Sequence, residues 1–403
     1  MPWVPTVRTA ARTAESILQA RRVVDMADVI KILDPRTAPL VRLTGDPNDP
    51  TALIELKSCK NPRYDWLMDQ ALPGVDRINN AAGYTAAAAI LTVDNGDYFV
   101  INDLVHVPRT GETLLVTGQT ATTITVTRSW GPNAAAALVD NDELYISGTA
   151  QVENSTVPGL RSTVEITDFN YCEIKRTPFG LSMTQANSEL YGGPDDAHQM
   201  RLAGIRHALY LEKSCMFGER VLDTVTGGVN APRRSTGGLR SFITTNVTDL
   251  GGAPLTQPTL ESFIRSAFRY NSGDGTRKSK VALCSRLILS ALADWGGNKL
   301  QLNPNASKLG MTIKTYESPN GTLHFVPHEQ LTGDEYGGWA FVLDMENLKT
   351  RFLDGKMGSR KPKLARNRHN NDVDGFIHEY ISEMGFQVEM EDTHAILRGV
   401  NGY

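Results

Sequence analysis

Apolar residues fall on every second position along several short runs between residues 90 and 150. The alternating pairs are Val105 and Val107, Leu114 and Val116, Ile124 and Val126, and Leu144 and Ile146. This two-residue period is typical of strands with one buried face, and glycine-rich and proline-rich turns separate the runs. The pattern predicts about four to six short strands that form a small barrel or sandwich inserted into a larger fold.

A helical period precedes and follows this β-rich region. Apolar spacing predicts a helix over 12–33, and breaker clusters at 34–39 and 45–50 follow it. So many breakers prevent residues 1–50 from burying themselves, and we expect this arm to lie across another surface. A second helix is predicted over 197–217. Its apolar side is predicted to comprise Leu202, Ile205, Ala208, Leu209, Cys215 and Met216.

The remainder of the chain alternates between helical and strand patterns. Helices are predicted over 259–270 and 287–295. Strands are predicted over 280–284, 339–343, 376–390 and 394–400, with a hairpin over 311–327. Together with the β-rich region, these elements predict an α+β fold.

Composition and charge narrow the protein class. The chain has 403 residues, 40% hydrophobic and 21% charged, as in soluble globular proteins of about two to three domains. Its net charge of −4 contrasts with the basic excess of most dedicated nucleic-acid-binding proteins. Neither a secretory signal nor a membrane-spanning run is recognised, so we expect a cytoplasmic chain. Four scattered cysteines are then expected to stay reduced: Cys59, Cys172, Cys215 and Cys284.

One segment resembles the first half of a calcium-binding loop. Asn370, Asp372 and Asp374 have the spacing of its first ligands, followed by a glycine. The twelfth position should supply a bidentate glutamate and is Ile381 instead. We therefore interpret the segment as a turn that caps the following strand.

Two further motifs lack the geometry of chemical sites. The glycine-rich segment 273–279 does not have the spacing of a phosphate-binding loop. His324 and His328 are four residues apart, but Pro327 prevents the helix that would place them on one face. Since no nucleophile elbow, zinc-protease or dinucleotide motif occurs either, we predict no enzyme activity and no catalytic, cofactor-binding or metal-binding residues.

A basic segment spans residues 349–368, in which Asp354 is the one acidic residue. Its cations are Lys349, Arg351, Lys356, Arg360, Lys361, Lys363, Arg366 and Arg368. Only Phe352 is available nearby for stacking on bases. A flexible loop or a contact between subunits is therefore favoured over a nucleic-acid site.

Several sequence motifs follow one another in a particular order along the chain. They are a helix followed by a proline-interrupted stretch at 26–40, the aromatic strip 64–69, a glycine–leucine motif at 235–246, and closing strands at 371–380 and 394–400. In this order they resemble the major capsid proteins of tailed bacteriophages, which share the Hong Kong 97 phage capsid fold. The resemblance is to a branch with an inserted β-rich module.

The resemblance implies a division of the chain into the parts of that fold. These are an N-terminal arm (1–50), the first part of an extended loop (51–89), an inserted β module (90–150), the return of that loop with a peripheral domain and its spine helix 197–217 (151–220), a mostly axial domain (221–335), and peripheral-domain strands with the C-terminus (336–403).

The implied function is that of a shell subunit. Identical copies would form hexamers and pentamers of an icosahedral head around double-stranded DNA, without sequence-specific binding, cofactors or a membrane. Portal protein would be a partner, with decoration or scaffolding proteins as further candidates. The protein would reside in the virion after assembly in the bacterial host cytoplasm. Two alternatives stay open: another virion protein, such as a tail-tube or decoration subunit, and a cellular encapsulating shell protein.

Some members of the family join their subunits by a lysine–asparagine isopeptide bond. Lys57 and Lys60 lie in the corresponding region beside Glu55. Solvated lysines on an exposed loop explain both residues without such chemistry, so non-covalent joining is expected. Many moderately weak contacts add up in a closed shell by multivalency.

Overall fold

A computed structural model of the chain describes residues 38–45, 53–70, 72–155, 157, 159–188, 195–226, 231–270, 279–295, 300–301, 314–370 and 372–402. The predicted helix over 12–33 and most of the glycine-rich motif 273–279 lie outside these residues. Helices are α1 (Pro39–Leu43), α2 (Met183–Ala186), α3 (Asp195–Phe217), α4 (Leu239–Phe242), α5 (Gln257–Ala267), α6 (Arg286–Trp295) and α7 (Gly333–Tyr336).

The strands mix long central elements with short edge elements. In the first half of the chain they are β1 (Thr44–Gly45), β2 (Ile54–Cys59), β3 (Arg63–Met68), β4 (Val75–Arg77), β5 (Ile90–Thr92), β6 (Asp103–Val107), β7 (Glu112–Gln119), β8 (Thr123–Thr127), β9 (Glu143–Thr149), β10 (Ile166–Tyr171) and β11 (Glu173–Ser182). In the second half they are β12 (Val221–Asp223), β13 (Arg233–Ser235), β14 (Val247–Asp249), β15 (Ser279–Cys284), β16 (Leu300–Gln301), β17 (Lys314–Ser318), β18 (Gly321–Pro327), β19 (Ala340–Leu343), β20 (Leu348–Gly355), β21 (Gly358–Ser359), β22 (Lys363–Ala365), β23 (Gly375–Val388) and β24 (Ala395–Arg398).

The chain divides into two compact units. The described residues of Met1–Asp65 and Phe169–Tyr403 form the main unit, and those of Trp66–Asp168 form the β unit. The β unit is therefore an excursion of the chain out of the main unit and back.

Sheet I of the main unit has the strand order β1-β2-β20-β23-β11, with β21 paired to β20 and β22 to β23. The antiparallel pair of β11 and β23 runs from Glu173 opposite Met384 to Ser182 opposite Gly375. Helix α3 packs on these two strands. It confirms the helix predicted over 197–217 and begins two residues earlier, at Asp195.

The buried face of α3 differs from the predicted apolar side. Its buried residues are Ala203, His207, Leu211, Glu212 and Met216, whereas the other predicted apolar residues are only partly buried. Two polar side chains replace apolar ones because each has partners in the interior. For example, the His207 ring lies 3.0 Å from the Thr177 hydroxyl through Nδ1 and 2.9 Å from the Ser382 hydroxyl through Nε2.

Sheet II of the main unit has the order β14-β24-β19-β15-β18-β17-β16. Helices α5 and α6 cover one face, and α1, α3 and α4 contribute to the core on the other. All residues of β19 are buried, which explains its continuous apolar sequence. Strands β19 and β24 come from the stretch 336–403, and they pair here with strands from 221–335.

The β unit contains sheet III, with the order β4-β9-β6-β7-β8-β5. Its edge strands meet through a bridge between Ile78 and Val93, supported by hydrogen bonds from Asn79 N to Thr92 O and from Asp94 N to Arg77 O, both 3.0 Å. The four predicted strand runs are confirmed as β6, β7, β8 and β9, and their alternating apolar residues face the core.

Sheet III also includes β4, from the stretch predicted to be the first part of the extended loop, 51–89. This strand pairs antiparallel with β9, so the sheet begins before residue 90. Three residues, one of them the buried Asp76, are too few to show an alternating pattern in the sequence.

Candidate functional site

A buried carboxylate on α3 anchors the segment that ends the predicted arm. Leu40 N donates to Glu212 Oε1 and Val41 N to Oε2, both at 3.0 Å. These amides belong to the first turn of α1, whose N-cap residue, Ala38, supplies no side-chain acceptor. Helix N-termini leave such amides unsatisfied and favour a negative charge, so Glu212 fills the missing cap from another helix.

His328 completes this anchor from a third segment. Its Nε2 lies 2.7 Å from Glu212 Oε1, and its Nδ1 accepts a hydrogen bond from Gln330 N at 3.2 Å. The Nδ1 contact assigns the proton to Nε2, which donates to the carboxylate. Both side chains are fully buried. Three distant stretches of the chain are thereby held together at one carboxylate.

The two histidines that the sequence singled out have separate partners. His324 lies within β18 and its Nδ1 is 3.2 Å from the Thr315 hydroxyl on β17. His328 follows the strand and contacts Glu212. In the part of the chain that the structure describes, no group of three His, Cys, Asp or Glu side chains is arranged to hold a metal ion.

A cavity of about 140 Å³ adjoins the Glu212 anchor. Most of its wall is apolar, including Leu40, Leu211, Met384 and Phe386, and Lys175 is its charged neighbour. Such a lining suits packing of apolar groups. It presents no pair of groups suited to acid–base chemistry.

The basic segment 349–368 neutralises a row of buried acidic residues on β23. Glu379 is 3% exposed and pairs with Arg368 at 3.4 Å; Glu383 is also 3% exposed and pairs with Arg360 at 3.1 Å. Lys349 lies 2.7 Å from the partly buried Glu389, which directly follows β23. These cations therefore stabilise sheet I from within the chain.

Other cations of the segment remain at the surface. Lys356, Lys363 and Arg366 are exposed, with Lys356 at the end of the β20–β21 hairpin. Their position is compatible with the predicted loop or subunit contact, which stays a prediction.

The segment 151–166 of the β unit exposes a series of apolar side chains. Their exposed fractions are 72% for Val152, 84% for Val157, 95% for Leu160, 81% for Val164 and 63% for Ile166. Five apolar side chains exposed within one segment are a feature that often marks an interaction surface.

Polar contacts hold this segment in place within the β unit. Arg161 Nη1 donates to Tyr98 O at 2.9 Å and to the buried Asp103 Oδ2 at 3.1 Å. Thr163 donates to Asp69 at 3.0 Å. The backbone is therefore positioned while the apolar side chains point away from their own unit's core.

A buried cation and a buried histidine lie near the end of α5. Lys280 Nζ donates to Ala267 O and Thr393 O at 2.6 Å and to Tyr270 O at 2.7 Å, and burial lowers its pKa to about 8. Burial also lowers the pKa of His394 to about 4. Because three carbonyls occupy the Lys280 ammonium, it acts as a helix cap and has no opening towards a substrate.

Two of the four cysteines meet in the main unit. The sulfur atoms of Cys59 and Cys172 are 3.3 Å apart and both residues are buried. Cys215 is partly buried and Cys284 lies in the core beside α6. This contact could not be predicted from the sequence, because 113 positions separate the two residues.

The lysines considered for covalent joining lie at the surface of sheet I. Lys57 Nζ is 3.8 Å from Glu55 Oε2 in β2, and Lys60 follows that strand. In the segment considered for calcium, Val373 N donates to Asn370 O at 3.2 Å, and β23 begins at Gly375. That geometry is a turn leading into a strand, as interpreted from the sequence.

Comparison with known proteins places these features in context. A sequence profile of the SU10 major capsid protein family matches residues 6–401. The major capsid protein of Pseudomonas phage PaMx41 is 24% identical over 280 residues, which are 67% of this chain and 66% of that protein. The match thus spans slightly less than two thirds of the length of that relative.

Solved structures give weaker similarity. The capsid of an empty GTA particle covers 96% of this chain and 98% of its own, with a TM-score of 0.48 and 10% identity. The capsid of cyanophage A-1(L) covers 63% of this chain and 85% of its own, with a TM-score of 0.44 and 10% identity. The match to the SrpI encapsulin of Synechococcus elongatus PCC 7942 covers 59% of this chain and 78% of the encapsulin chain, with a TM-score of 0.41 and 10% identity. Among the described helices, none has both the length and the apolarity to cross a membrane.

Proposed function

The chain belongs to the SU10 major capsid protein family, and we propose that it self-assembles into the icosahedral shell that encloses the double-stranded DNA genome of a tailed phage. The observation that carries this proposal is the family match, which extends over residues 6–401. The protein is a structural component of the virion. Assembly takes place in the bacterial host cytoplasm under this proposal.

We assign the parts of the Hong Kong 97 phage capsid fold to the two units. Sheet I with α3 as the spine helix forms the peripheral domain, and sheet II with α5 and α6 forms the axial domain. The β unit carries the inserted barrel on an extended loop, and residues 1–50 form the arm. The mixed α+β architecture and the long helix packed on sheet I support this assignment.

The exposed apolar segment 151–166 supports a role in subunit contacts. Burying an apolar side chain of this size contributes about 1.5–3 kcal/mol, so several such residues supply a useful contact between neighbours. The Glu212 anchor supports the same role for the arm, because it fixes Leu40 and Val41, which lie towards the end of the predicted arm, to α3. Each subunit then joins its neighbours through several moderate contacts, which multivalency combines into a stable shell.

The partners follow from this function. Identical subunits form the hexamers and pentamers of the shell, and the portal, with decoration or scaffolding proteins as further candidates, binds to them. The net charge of −4 suits a container that encloses DNA without sequence-specific binding. Lys57 and Lys60 remain candidates for a covalent joint, with non-covalent joining as the expected state.

Sedimentation of matched variants tests the role of the exposed segment. Val164→Ser combined with Leu160→Ser removes two exposed apolar side chains and should leave the fold of the soluble chain intact. Val225→Ser is the control, because Val225 is 90% exposed in the main unit. We expect the control to sediment as large particles like the unchanged protein and the double variant to shift towards small oligomers.

The outcomes separate two claims. If the unchanged chain forms no particles under any condition of concentration and salt, the capsid function is contradicted. If the unchanged chain and the double variant form particles equally well, only the role of segment 151–166 is contradicted. A circular dichroism spectrum matching that of the unchanged chain verifies that the double variant is folded.

A further inference from the structure

Two thiols from distant parts of the chain lie in direct contact in the main unit. Cys59 is the last residue of β2, and Cys172 lies between β10 and β11. Their sulfur atoms are 3.3 Å apart, and Cys172 N donates to Pro62 O at 2.7 Å. Since a disulfide bond is about 2.05 Å long, the two sulfurs need to approach by little more than 1 Å.

The hydrogen bonds distinguish the roles of the two thiols. Cys59 donates to Phe352 O at 3.3 Å, so the hydrogen between the two sulfurs comes from Cys172. That hydrogen bond from Cys172 lowers the pKa of Cys59, and nearby Arg351 lowers it further. The same bond, together with burial, raises the pKa of Cys172. Cys59 is 8% exposed and Cys172 fully buried, so Cys59 is both the more acidic and the more accessible thiol.

The pair lies where the chain leaves the main unit for the β unit and returns. Strand β3 follows Cys59 after a short turn, and strand β10 directly precedes Cys172. A bond between the two sulfurs would therefore link the chain just before it leaves the main unit to the chain just after it returns. The same bond would join β2 to the start of β11 in sheet I.

We propose that Cys59 and Cys172 form an intramolecular disulfide when the chain meets a small oxidant of the peroxide class. The Cys59 thiolate attacks one oxygen of hydrogen peroxide, and the O–O bond breaks to give Cys59 sulfenic acid and hydroxide. The sulfur of Cys172 then attacks the Cys59 sulfur and displaces the hydroxyl group. The two thiol protons combine with the hydroxide of the first step and the hydroxyl group displaced in the second step. Two thiols and one hydrogen peroxide therefore yield one disulfide and two water molecules.

The proposal goes beyond the capsid function and does not depend on it. Cells keep thiols reduced, whereas oxidising surroundings outside the cell preserve disulfides. A protein that is folded in a reducing cytoplasm and later released would thus acquire a covalent staple only after release. The reduced pair in the structure corresponds to the state before oxidation.

Peptide mapping of the purified full-length chain tests the proposal. The folded protein is treated with hydrogen peroxide and then denatured in the presence of an alkylating agent, which blocks the remaining free thiols. It is digested with trypsin without reduction. We expect peptide 58–60 linked to peptide 162–175, and a fall in titratable thiols from the four cysteines to two per chain. Dithiothreitol should restore all four thiols and lower the thermal unfolding midpoint of the oxidised protein.

Variants show whether the geometry directs the reaction. Cys215→Ser keeps the pair and should give the same linked peptide. Cys172→Ser removes the resolving thiol, so Cys59 should accumulate as sulfenic acid trapped by dimedone. The proposal is overturned if all four thiols of the unchanged, folded chain persist, or if Cys59 is linked to Cys215, Cys284 or another chain. Because the unchanged protein supplies the decisive map, misfolding of a variant does not affect the test.

Discussion

Replacing Glu212 by glutamine is a sharp test of the anchor at the end of the arm. The carboxylate accepts hydrogen bonds from Leu40 N, Val41 N and His328 Nε2, and it has no donor of its own. The glutamine oxygen can take the place of Oε1 and keep two of these bonds. Its amide group then faces Val41 N, donor against donor.

The expected cost follows from these contacts. A buried donor that loses its acceptor costs about 1–3 kcal/mol, and losing the charge weakens the two remaining bonds by roughly 1 kcal/mol each. The sum is about 3–5 kcal/mol. Leu40 and Leu43 are almost fully buried, and exposing them would cost about 1.5–3 kcal/mol each, so release of α1 is a competing response of similar cost.

Hydrogen–deuterium exchange of the purified full chain measures this effect locally. At about 1.4 kcal/mol per factor of ten, Glu212→Gln should accelerate exchange of the Leu40 and Val41 amides by at least roughly 100-fold. Glu219→Gln is the matched control, because Glu219 lies just beyond the same helix in an exposed pair with Arg240. Its effect should stay below about 1 kcal/mol.

Unchanged exchange at residues 40 and 41 in a folded Glu212→Gln chain would refute the reasoning. The same holds if Glu219→Gln produces an equal acceleration. Either result would mean that the carboxylate does not hold α1, whatever the distances in the structure.

Two further predictions concern buried charges in the main unit and the β unit. Burial lowers the pKa of His394 to about 4 from an ordinary value near 6.5, so the neutral form is favoured on folding. The free energy of unfolding should therefore fall by about 3 kcal/mol as the pH decreases from 6.5 to 4. Urea titrations at several pH values measure this dependence, and His394→Gln should flatten it. A steep acid loss in the variant equal to that of the unchanged chain would contradict the assignment. In the β unit, the fully buried Glu112 pairs with Arg128 at 2.7 Å, so Arg128→Met should destabilise that unit by about 3–5 kcal/mol in urea unfolding. The exposed Arg77, 3.4 Å from Glu143, provides the control, and Arg77→Met should cost less than about 1 kcal/mol; equal effects would contradict the argument.

Local periodicity explains which parts of the fold could be predicted from the sequence. Strands β6 to β9 repeat apolar residues at every second position because one face of each packs into the core of the β unit. Strand β19 has a continuous apolar sequence because both of its faces are buried. Helix α3 is long and its end at Phe217 was predicted from nearby residues, although it begins at Asp195, two residues before the predicted start.

The contacts at the candidate sites could not be predicted in this way, because distant residues create them. In the sequence, Glu212 looks like an ordinary polar residue of α3. It can be buried because Leu40 N donates a hydrogen bond to it, and Leu40 is 172 positions away in the sequence. Lys280 precedes the apolar residues of β15, and the carbonyl partners that allow its burial come from distant positions such as Thr393. Even the basic segment, which is conspicuous in the sequence, gives no indication that part of it neutralises β23.

The exposed segment 151–166 illustrates the opposite case. Its apolar residues have no strict period, so the sequence alone did not identify them as a surface. The structure shows them exposed, and this exposure supports their proposed role in contacts between copies of the chain.

Electron microscopy of the purified, full-length chain tests the central claim most directly. The account predicts closed icosahedral shells built from this one chain, in which density from neighbouring subunits covers segment 151–166. A compact, well-ordered monomer at every concentration, with that segment still exposed to solvent, would contradict it.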